Sequence, residues 1–98
     1  MYDIKPTGQY KKDLKLCSKR NYDLSLMASA ILKLKGTGTL PVDEYGTHKL
    51  ASKKQKVWDA HLEPDWLLLF QTEESNEPEF DGVVVLVRTG THSDLFKK

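Results

Sequence analysis

The chain has 98 residues, of which 39% are hydrophobic and 30% charged, a composition that suits one ordinary soluble domain over residues 1–98. No apolar run approaches the roughly 20 residues of a membrane span, and the first residues lack the charged-then-apolar pattern of a signal peptide, so we expect no membrane partner. The net charge of +1 hides a split: residues 1–56 carry 12 basic and 5 acidic side chains (+7), and residues 57–98 carry 3 and 9 (−6). This split favours a basic surface for a polyanion, although solvated helix faces give the same pattern.

The first part of the chain predicts a short strand followed by two helices. Residues 1–5 can form an edge strand, which Pro6-Thr7-Gly8 ends. Apolar residues then recur at helical spacing in two segments: Tyr10, Leu14 and Cys17, then Leu24, Met27, Ala30, Ile31 and Leu34. Thr7 is placed to cap the first helix and Asn21 or Asp23 the second, which ends at Gly36-Thr37-Gly38. The only cysteine, Cys17, is expected in the core, excludes an internal disulfide and fits a reducing cytoplasm.

The second half predicts consecutive strands. Residues 39–56 are irregular, with a short strand around His48-Lys49-Leu50. Residues 57–62 alternate, so His61 lies on the open face if the helices cover Trp58 and Ala60. The apolar runs 66–70 and 83–88 predict a central strand and its neighbour, joined by a long, exposed, acidic hairpin loop at 73–81. Thr89-Gly90-Thr91 ends the last strand, and Ser93 is placed to cap a short terminal helix.

This order of elements favours an α+β fold. We expect two N-terminal helices packed on one face of a small, mostly antiparallel, twisted sheet, with a short C-terminal helix after it. The other face of the sheet is expected to be partly open, and concave if the sheet twists strongly.

The residues that carry chemistry are three histidines, His48, His61 and His92, with Asp65 and Arg88. Any one histidine is most simply a surface or hydrogen-bonded residue, but the set suits two kinds of site. Zinc uses imidazole and carboxylate ligands, although the chain has no His-x-x-x-His pair and no cysteine cluster. The alternative is a metal-free acid–base site.

RNA cleavage is the reaction that such a metal-free site fits. RNA carries its own nucleophile, the 2′-hydroxyl, so cleavage needs a base, an acid for the leaving 5′-oxygen, and cations on the phosphate. Histidine, with an ordinary pKa of about 6.5, fills either proton-transfer role. Arg88 can bind phosphate oxygens in a bidentate manner, the lysines attract the RNA backbone, and Phe96 can stack on an unpaired base or anchor the last turn.

Four runs of residues resemble the YafQ branch of the RelE-like bacterial toxins, which are ribosome-dependent mRNA endonucleases of type II toxin–antitoxin systems. The runs are Thr7-Gly8-Gln9-Tyr10-Lys11-Lys12-Asp13, His48-Lys49-Leu50, Asp59-Ala60-His61-Leu62-Glu63-Pro64-Asp65-Trp66 and Arg88-Thr89-Gly90-Thr91-His92-Ser93-Asp94-Leu95-Phe96. They span nearly the whole chain in the right order, and the last two are specific.

The resemblance implies a RelE-like microbial ribonuclease-type fold without metal or cofactor, in the bacterial cytoplasm. It implies cleavage of mRNA in the A site of the 30S subunit and inhibition of translation. It also implies neutralisation by a cognate antitoxin that is small, dimeric and DNA-binding. The residues that match the catalytic set are His48, His61, Asp65 and His92, with Arg88 on the phosphate. The residues expected to bind substrate are Trp66, Phe96, Lys49, Lys54 and Lys56.

Within that resemblance, His92 is our candidate general acid and His48 or Asp65 the base, with His61 positioning groups or sharing charge. One departure concerns a Trp, a Gly and an Arg that family members commonly carry before the Asp-x-His element. The aligned residues here are Lys54, Lys56 and Trp58, so we expect Lys54 or Lys56 to replace the missing arginine. Three alternatives remain open: a non-catalytic nucleic-acid-binding module, a metal-dependent hydrolase, and a catalytically weakened RelE-like protein that mainly binds RNA or antitoxin.

Overall fold

A computed structural model describes residues 1–50 and 56–96, which form one five-stranded sheet with four helices around it. The sheet order is β1-β5-β4-β3-β2. The elements are β1 (Tyr2–Pro6), α1 (Gly8–Lys19), α2 (Leu24–Thr37), α3 (Val42–Tyr45), β2 (His48–Lys49), β3 (Trp58–Glu63), β4 (Trp66–Glu73), β5 (Gly82–Gly90) and α4 (His92–Phe96).

The sheet is mixed. Strand β1 pairs in parallel with β5, whereas β2, β3, β4 and β5 are joined by antiparallel pairings. The predicted α+β class, with two long helices, a mostly antiparallel sheet and a short terminal helix, is therefore confirmed. The short strand at His48 is also confirmed, but helix α3 was not predicted, because one turn of helix is too short to show a period.

The core lies between the sheet and one layer of helices. Helix α1 packs on β5, and α2 packs on β1 and β3. The alternate residues Trp66, Leu68 and Phe70 of β4 point into this layer and are at most 1% exposed. Cys17 is buried among them, as predicted. Burying one such aromatic or leucine side chain contributes about 1.5–3 kcal/mol, so this layer holds the sheet and helices together.

Local hydrogen bonds fix where the two long helices begin and end. The Thr7 hydroxyl accepts a bond from the Tyr10 amide and caps α1, and Asp23 accepts from the Ser25 amide and caps α2. Thr7 also donates to the carbonyl of Val87, the extra residue of a bulge in β5. Both predicted caps are confirmed, and Thr7 additionally ties α1 to the strand that leads into the site.

The end of the chain differs from the prediction in two details. Strand β5 continues through Thr89 to Gly90, because these residues still pair with Leu68 and Leu67 of β4. Helix α4 is capped by Thr91, not by Ser93. The Thr91 hydroxyl accepts from the Asp94 amide and the Asp94 carboxylate accepts from the Thr91 amide. This reciprocal pair is a capping box, and it begins α4 at His92.

None of the helices in the described ranges has both the length and the apolar character needed to cross a bilayer.

Two glycines near the end of α2 should respond oppositely to alanine. Gly38 has φ of 76°, and a Cβ there would lie 2.6 Å from carbons of the Tyr2 ring. Gly36 is helical and faces open space. We expect Gly38→Ala to lower the free energy of unfolding by about 2–4 kcal/mol through backbone strain and overpacking. Gly36→Ala should raise it by about 0.5–1 kcal/mol. Urea denaturation of both variants checks this, and equal responses would contradict the packing described for Gly38.

Candidate active site

The three histidines lie in a row at one end of the sheet. The ring centroids of His48 and His61 are 6.4 Å apart, and those of His61 and His92 are 5.7 Å apart. The row continues to Phe96, whose ring centroid is 6.4 Å from that of His92. Strand β2 supplies the first histidine, β3 the second and α4 the third. The fold thus brings together residues that are up to 44 positions apart, from 48 to 92.

His92 is held by Asp65, which lies in the turn between β3 and β4. One carboxylate oxygen of Asp65 is 2.9 Å from the His92 backbone nitrogen and 2.6 Å from Nδ1 of its ring. These two bonds, the backbone one first, hold the pKa of Asp65 below its ordinary value. Because the carboxylate accepts, Nδ1 carries the proton and Nε2 is the nitrogen left for chemistry.

His48 is oriented by the loop before it. Its Nδ1 lies 3.2 Å from the Gly46 carbonyl, which can only accept, so Nδ1 donates and Nε2 again remains. Nε2 is 3.6 Å from a carboxylate oxygen of Asp59. Gly46 has φ of 58°, and a Cβ there would come within 3.5 Å of the His61 ring. Gly46 therefore positions the first histidine and lies against the second.

Asp59 was placed by the sequence on the same face as His61, but its burial was not foreseen. Its side chain is only 6% exposed. Its Oδ1 atom has no hydrogen-bond partner among residues 1–50 and 56–96. A buried carboxylate of this kind is costly unless a cation lies close by, and the ring of His48 becomes such a cation when it takes up a proton.

Arg88 is engaged by a residue that sequence reasoning missed, Asp13 of α1. The Nε and Nη2 groups of Arg88 donate to the two Asp13 oxygens, each at 3.0 Å. The same carboxylate accepts from Gln9 and from the Thr89 amide. Burial raises the pKa of Asp13, but these four bonds outweigh it and hold the pKa below 3.8. The signal was present: Asp13 lies three residues after Tyr10 and four before Cys17, on the buried stripe of the helix.

Trp66 is corrected from a substrate-binding residue to a core residue. It is 1% exposed, its indole nitrogen donates to the Thr89 hydroxyl at 2.9 Å, and its ring packs edge-on against Tyr22. The Thr89 hydroxyl in turn donates to the Leu67 carbonyl at 2.6 Å. A base cannot stack on a ring that is fully enclosed. Trp66 instead holds Thr89, which lines the groove.

A groove of about 750 Å³ opens beside the histidine row. Helix α1 forms one wall with Leu16 and Cys17, α4 forms the other with Phe96, and Arg88 lies between them. Leu16 and Phe96 are 44% and 40% exposed. The groove therefore combines a cation with apolar walls, a combination that suits a phosphate next to an unpaired base.

Two of the predicted lysines, Lys49 and Lys56, do not line this groove. Lys49 and Lys56 are exposed, and Lys54 lies outside the described residues. Trp58 is half-buried against the core. The acidic loop after β4 lies at the opposite end of the β4–β5 hairpin from Asp65 and His92, so its charges are kept away from the histidine row.

Known proteins resemble this chain in both sequence and fold. Residues 2–97 match the family described as "Bacterial toxin of type II toxin-antitoxin system, YafQ". The chain is 37% identical over 95 residues to the mRNA interferase toxin YafQ of Escherichia coli strain K12, covering 96% of this chain and 95% of that protein.

Two solved structures illustrate the likeness in fold. The E. coli DinJ–YafQ complex superposes with a TM-score of 0.76 at 35% identity, covering 98% of this chain and 99% of that chain. A metal-bound toxin from Helicobacter pylori superposes with a TM-score of 0.78 at 30% identity, covering 98% of this chain and 100% of that chain.

The Asp13 carboxylate should make folding stability depend on acid. Its pKa is lowered in the folded state, so its contribution is present at neutral pH and is lost as pH falls below 3.8 through the lowered value. We expect Asp13→Asn to be less stable than wild type at pH 7 and the difference to shrink towards pH 2. Urea midpoints between pH 2 and pH 7 check this, with Asp43→Asn on exposed α3 as a control. A constant difference across that range would contradict the role of this carboxylate.

Proposed function

Because the chain belongs to the YafQ family of toxins from bacterial type II toxin–antitoxin systems, we propose that it is an mRNA interferase, an endoribonuclease that cuts mRNA in the ribosomal A site. The reaction is metal-independent acid–base cleavage by the RNA's own 2′-hydroxyl, and its result is inhibition of translation. The single domain acts in the bacterial cytoplasm.

The observation that carries this proposal is the row His48–His61–His92 beside Arg88. Two of the three rings have one nitrogen committed to a protein acceptor and the other, Nε2, left unbonded by those contacts. A binding module needs a basic surface but has no need of oriented imidazoles. Oriented imidazoles with a guanidinium nearby are what phosphodiester transesterification requires.

The proposed step moves two protons and exchanges one bond at phosphorus. His48 Nε2 removes the proton of the 2′-hydroxyl, and the 2′-oxygen attacks phosphorus while the bond to the 5′-oxygen breaks. His92, protonated at Nε2, gives its proton to that leaving oxygen. The products are a 2′,3′-cyclic phosphate and a 5′-hydroxyl. The proton taken up by His48 lies beside the buried Asp59 carboxylate, which stabilises it.

The geometry favours His48 over Asp65 as the base. The carboxylate of Asp65 already accepts from His92, and a carboxyl group with a lowered pKa is a weaker base. Its proposed role is to fix the tautomer of His92 and to stabilise the imidazolium. His61, between the two other rings, shares the charge. Arg88 binds the phosphate and Phe96 stacks on a flanking base.

The partners of the proposed reaction are the ribosome, the mRNA and an antitoxin. In the E. coli DinJ–YafQ complex a related toxin is bound to its partner, and this chain has a cognate antitoxin of its own that is small, dimeric and DNA-binding. The excess of lysine and arginine in residues 1–56 supports docking on ribosomal RNA through long-range attraction. In this proposal the ribosome presents the mRNA strand to the groove.

Two observations bear on the alternatives of weakened catalysis and metal-dependent chemistry. Trp58 occupies a position where the family commonly has arginine, which would weaken catalysis if no lysine replaced the charge. The related H. pylori toxin is metal-bound, whereas residues 1–50 and 56–96 here contain no group of three or more His, Cys, Asp or Glu side chains arranged around one ion. Cleavage in the presence of a chelator separates acid–base from metal chemistry.

His92→Ala should lower the rate of mRNA cleavage on programmed ribosomes by at least about 100-fold, because the leaving oxygen loses its acid. The assay follows a defined mRNA with and without ribosomes, in a chelator. A 2′-deoxy substitution at the cut site should abolish cleavage by wild type.

Leu32→Ala, at a highly exposed position on α2, is the matched control and should cleave like wild type. Full cleavage by His92→Ala, or cleavage at a 2′-deoxy site, would sink the acid–base mechanism. Failure of well-folded wild type to cut under any condition would favour the weakened or binding-only protein.

Lys54 and Lys56 should together supply the missing arginine's charge. We expect Lys54→Ala combined with Lys56→Ala to slow ribosome-dependent cleavage and to reduce the steepness of its salt dependence, by about one unit of slope per phosphate contact. Lys5→Ala, beside the acidic loop, is the control and should change neither. Unchanged cleavage in the double variant would contradict this replacement.

A further inference from the structure

We propose that Asp13 is a positioning residue for catalysis, which holds the guanidinium of Arg88 in the orientation that receives the scissile phosphate. The inference rests on the proposed RNA cleavage and adds a charged group from α1, the helix whose Leu16 and Cys17 form one wall of the groove.

The contact between the two side chains is a fork. Nε and Nη2 of Arg88 each lie 3.0 Å from an oxygen of Asp13. A guanidinium has five N–H donors in one plane, so this pairing uses two of them and leaves three. The three that remain are the second N–H of Nη2 and both N–H groups of Nη1. Arg88 is 34% exposed and lines the groove together with His92.

Asp13 itself has little freedom to move. Its side chain is 9% exposed, and its two oxygens accept four hydrogen bonds: two from Arg88, one from Gln9 one helical turn earlier, and one from the Thr89 amide of β5. Every lone-pair direction of the carboxylate is thereby used. Arg88, in contrast, has a long side chain on a segment of β5 that lies beyond the register with β1, which stops at Leu86. Without Asp13 this side chain would lose its fixed plane.

Asp13 also affects the charge of Arg88, and this effect would slow cleavage rather than speed it. A carboxylate beside Arg88 offsets part of the positive charge that attracts phosphate. If charge offset dominated, removing the carboxylate would tighten phosphate binding and speed cleavage. If orientation dominates, as proposed, removing the carboxylate slows cleavage. The activation free energy then includes the entropy lost in ordering the guanidinium, which Asp13 otherwise orders in the folded protein.

The decisive experiment is a double-mutant cycle between Asp13→Asn and Arg88→Ala, measured as kcat/KM for ribosome-dependent cleavage per folded molecule. We expect Arg88→Ala to lose about 100-fold and Asp13→Asn about 10-fold. The double variant should be no slower than Arg88→Ala, because the proposed effect of Asp13 on catalysis is exerted through Arg88. Met27→Ala on α2 changes a buried residue outside the site, so it serves as a destabilised control and should keep wild-type kcat/KM.

A readout at the phosphate separates positioning from structural support. The substrate carries one phosphorothioate at the scissile linkage, as separate diastereomers. Wild type should discriminate against the diastereomer whose sulfur faces Arg88, and Asp13→Asn should lose most of that discrimination, as Arg88→Ala does. Met27→Ala should retain it. The same cycle can be measured without chemistry. The affinity of each variant is determined for ribosomes programmed with an mRNA that carries a 2′-deoxy substitution at the cut site.

The following results for Asp13→Asn, the double variant and Arg88→Ala would overturn the proposal. Faster cleavage or tighter binding by Asp13→Asn would mean that charge offset dominates. Losses that add fully in the double variant, or intact diastereomer discrimination in Asp13→Asn, would mean structural support alone. An Arg88→Ala variant equal to wild type in cleavage and binding would remove the phosphate contact on which the role depends. If wild type binds but does not cut, the proposed function fails, while the binding cycle still decides the role of Asp13.

Discussion

The Asp13 carboxylate is the contact on which the rest of the structure depends. It is the point where helix α1, strand β5 and the groove meet, because it binds Arg88 and the Thr89 amide at once. Thr89 continues the contact inward to Trp66 and the Leu67 carbonyl. A buried carboxylate is stabilising only when its hydrogen bonds are complete. This network is complete among the described residues, so it fixes the register of α1 on the sheet while leaving one face of Arg88 to the groove.

The site lies at one end of the sheet, where several strands begin or end. The end of β3, the start of β4, the end of β5 and the start of α4 lie close together, so His61, Asp65, Arg88 and His92 reach one surface. Two bulges adjust the strands here, one near His61 and one at Val87. Bulges redirect side chains where regular pleating would aim them elsewhere. The result is a row of imidazoles in front of a rigid hydrophobic layer, which is the arrangement that keeps proton donors and acceptors oriented.

Much of the fold could be predicted from the sequence because its signals are local. Caps at Thr7 and Asp23, the helical stripes and the apolar run of β4 each involve residues a few positions apart. The proximity of the three histidines could also be predicted, since neighbouring antiparallel strands begin and end at the same end of a sheet. Contacts between residues that are distant in the sequence could not be predicted. Trp66 was expected to bind substrate, and its enclosure depends on contacts with Thr89 and Tyr22, which are distant in the sequence. Asp13 read as one more polar residue of α1, although its place on the buried stripe distinguished it. The choice of Thr91 over Ser93 as cap depended on how far β5 continued.

The parallel pairing of β1 with β5 has a consequence for how the protein is made. Strand β1 has a single neighbour in the sheet, and that neighbour is the last strand to be synthesised. Domains begin to fold during synthesis, and pairings between distant segments form late. The first strand therefore waits, unpaired, until β5 has emerged, and Arg88 and His92 emerge with or after it. The row of histidines and the groove beside it are therefore completed only once this pairing has formed, late in the folding of the chain.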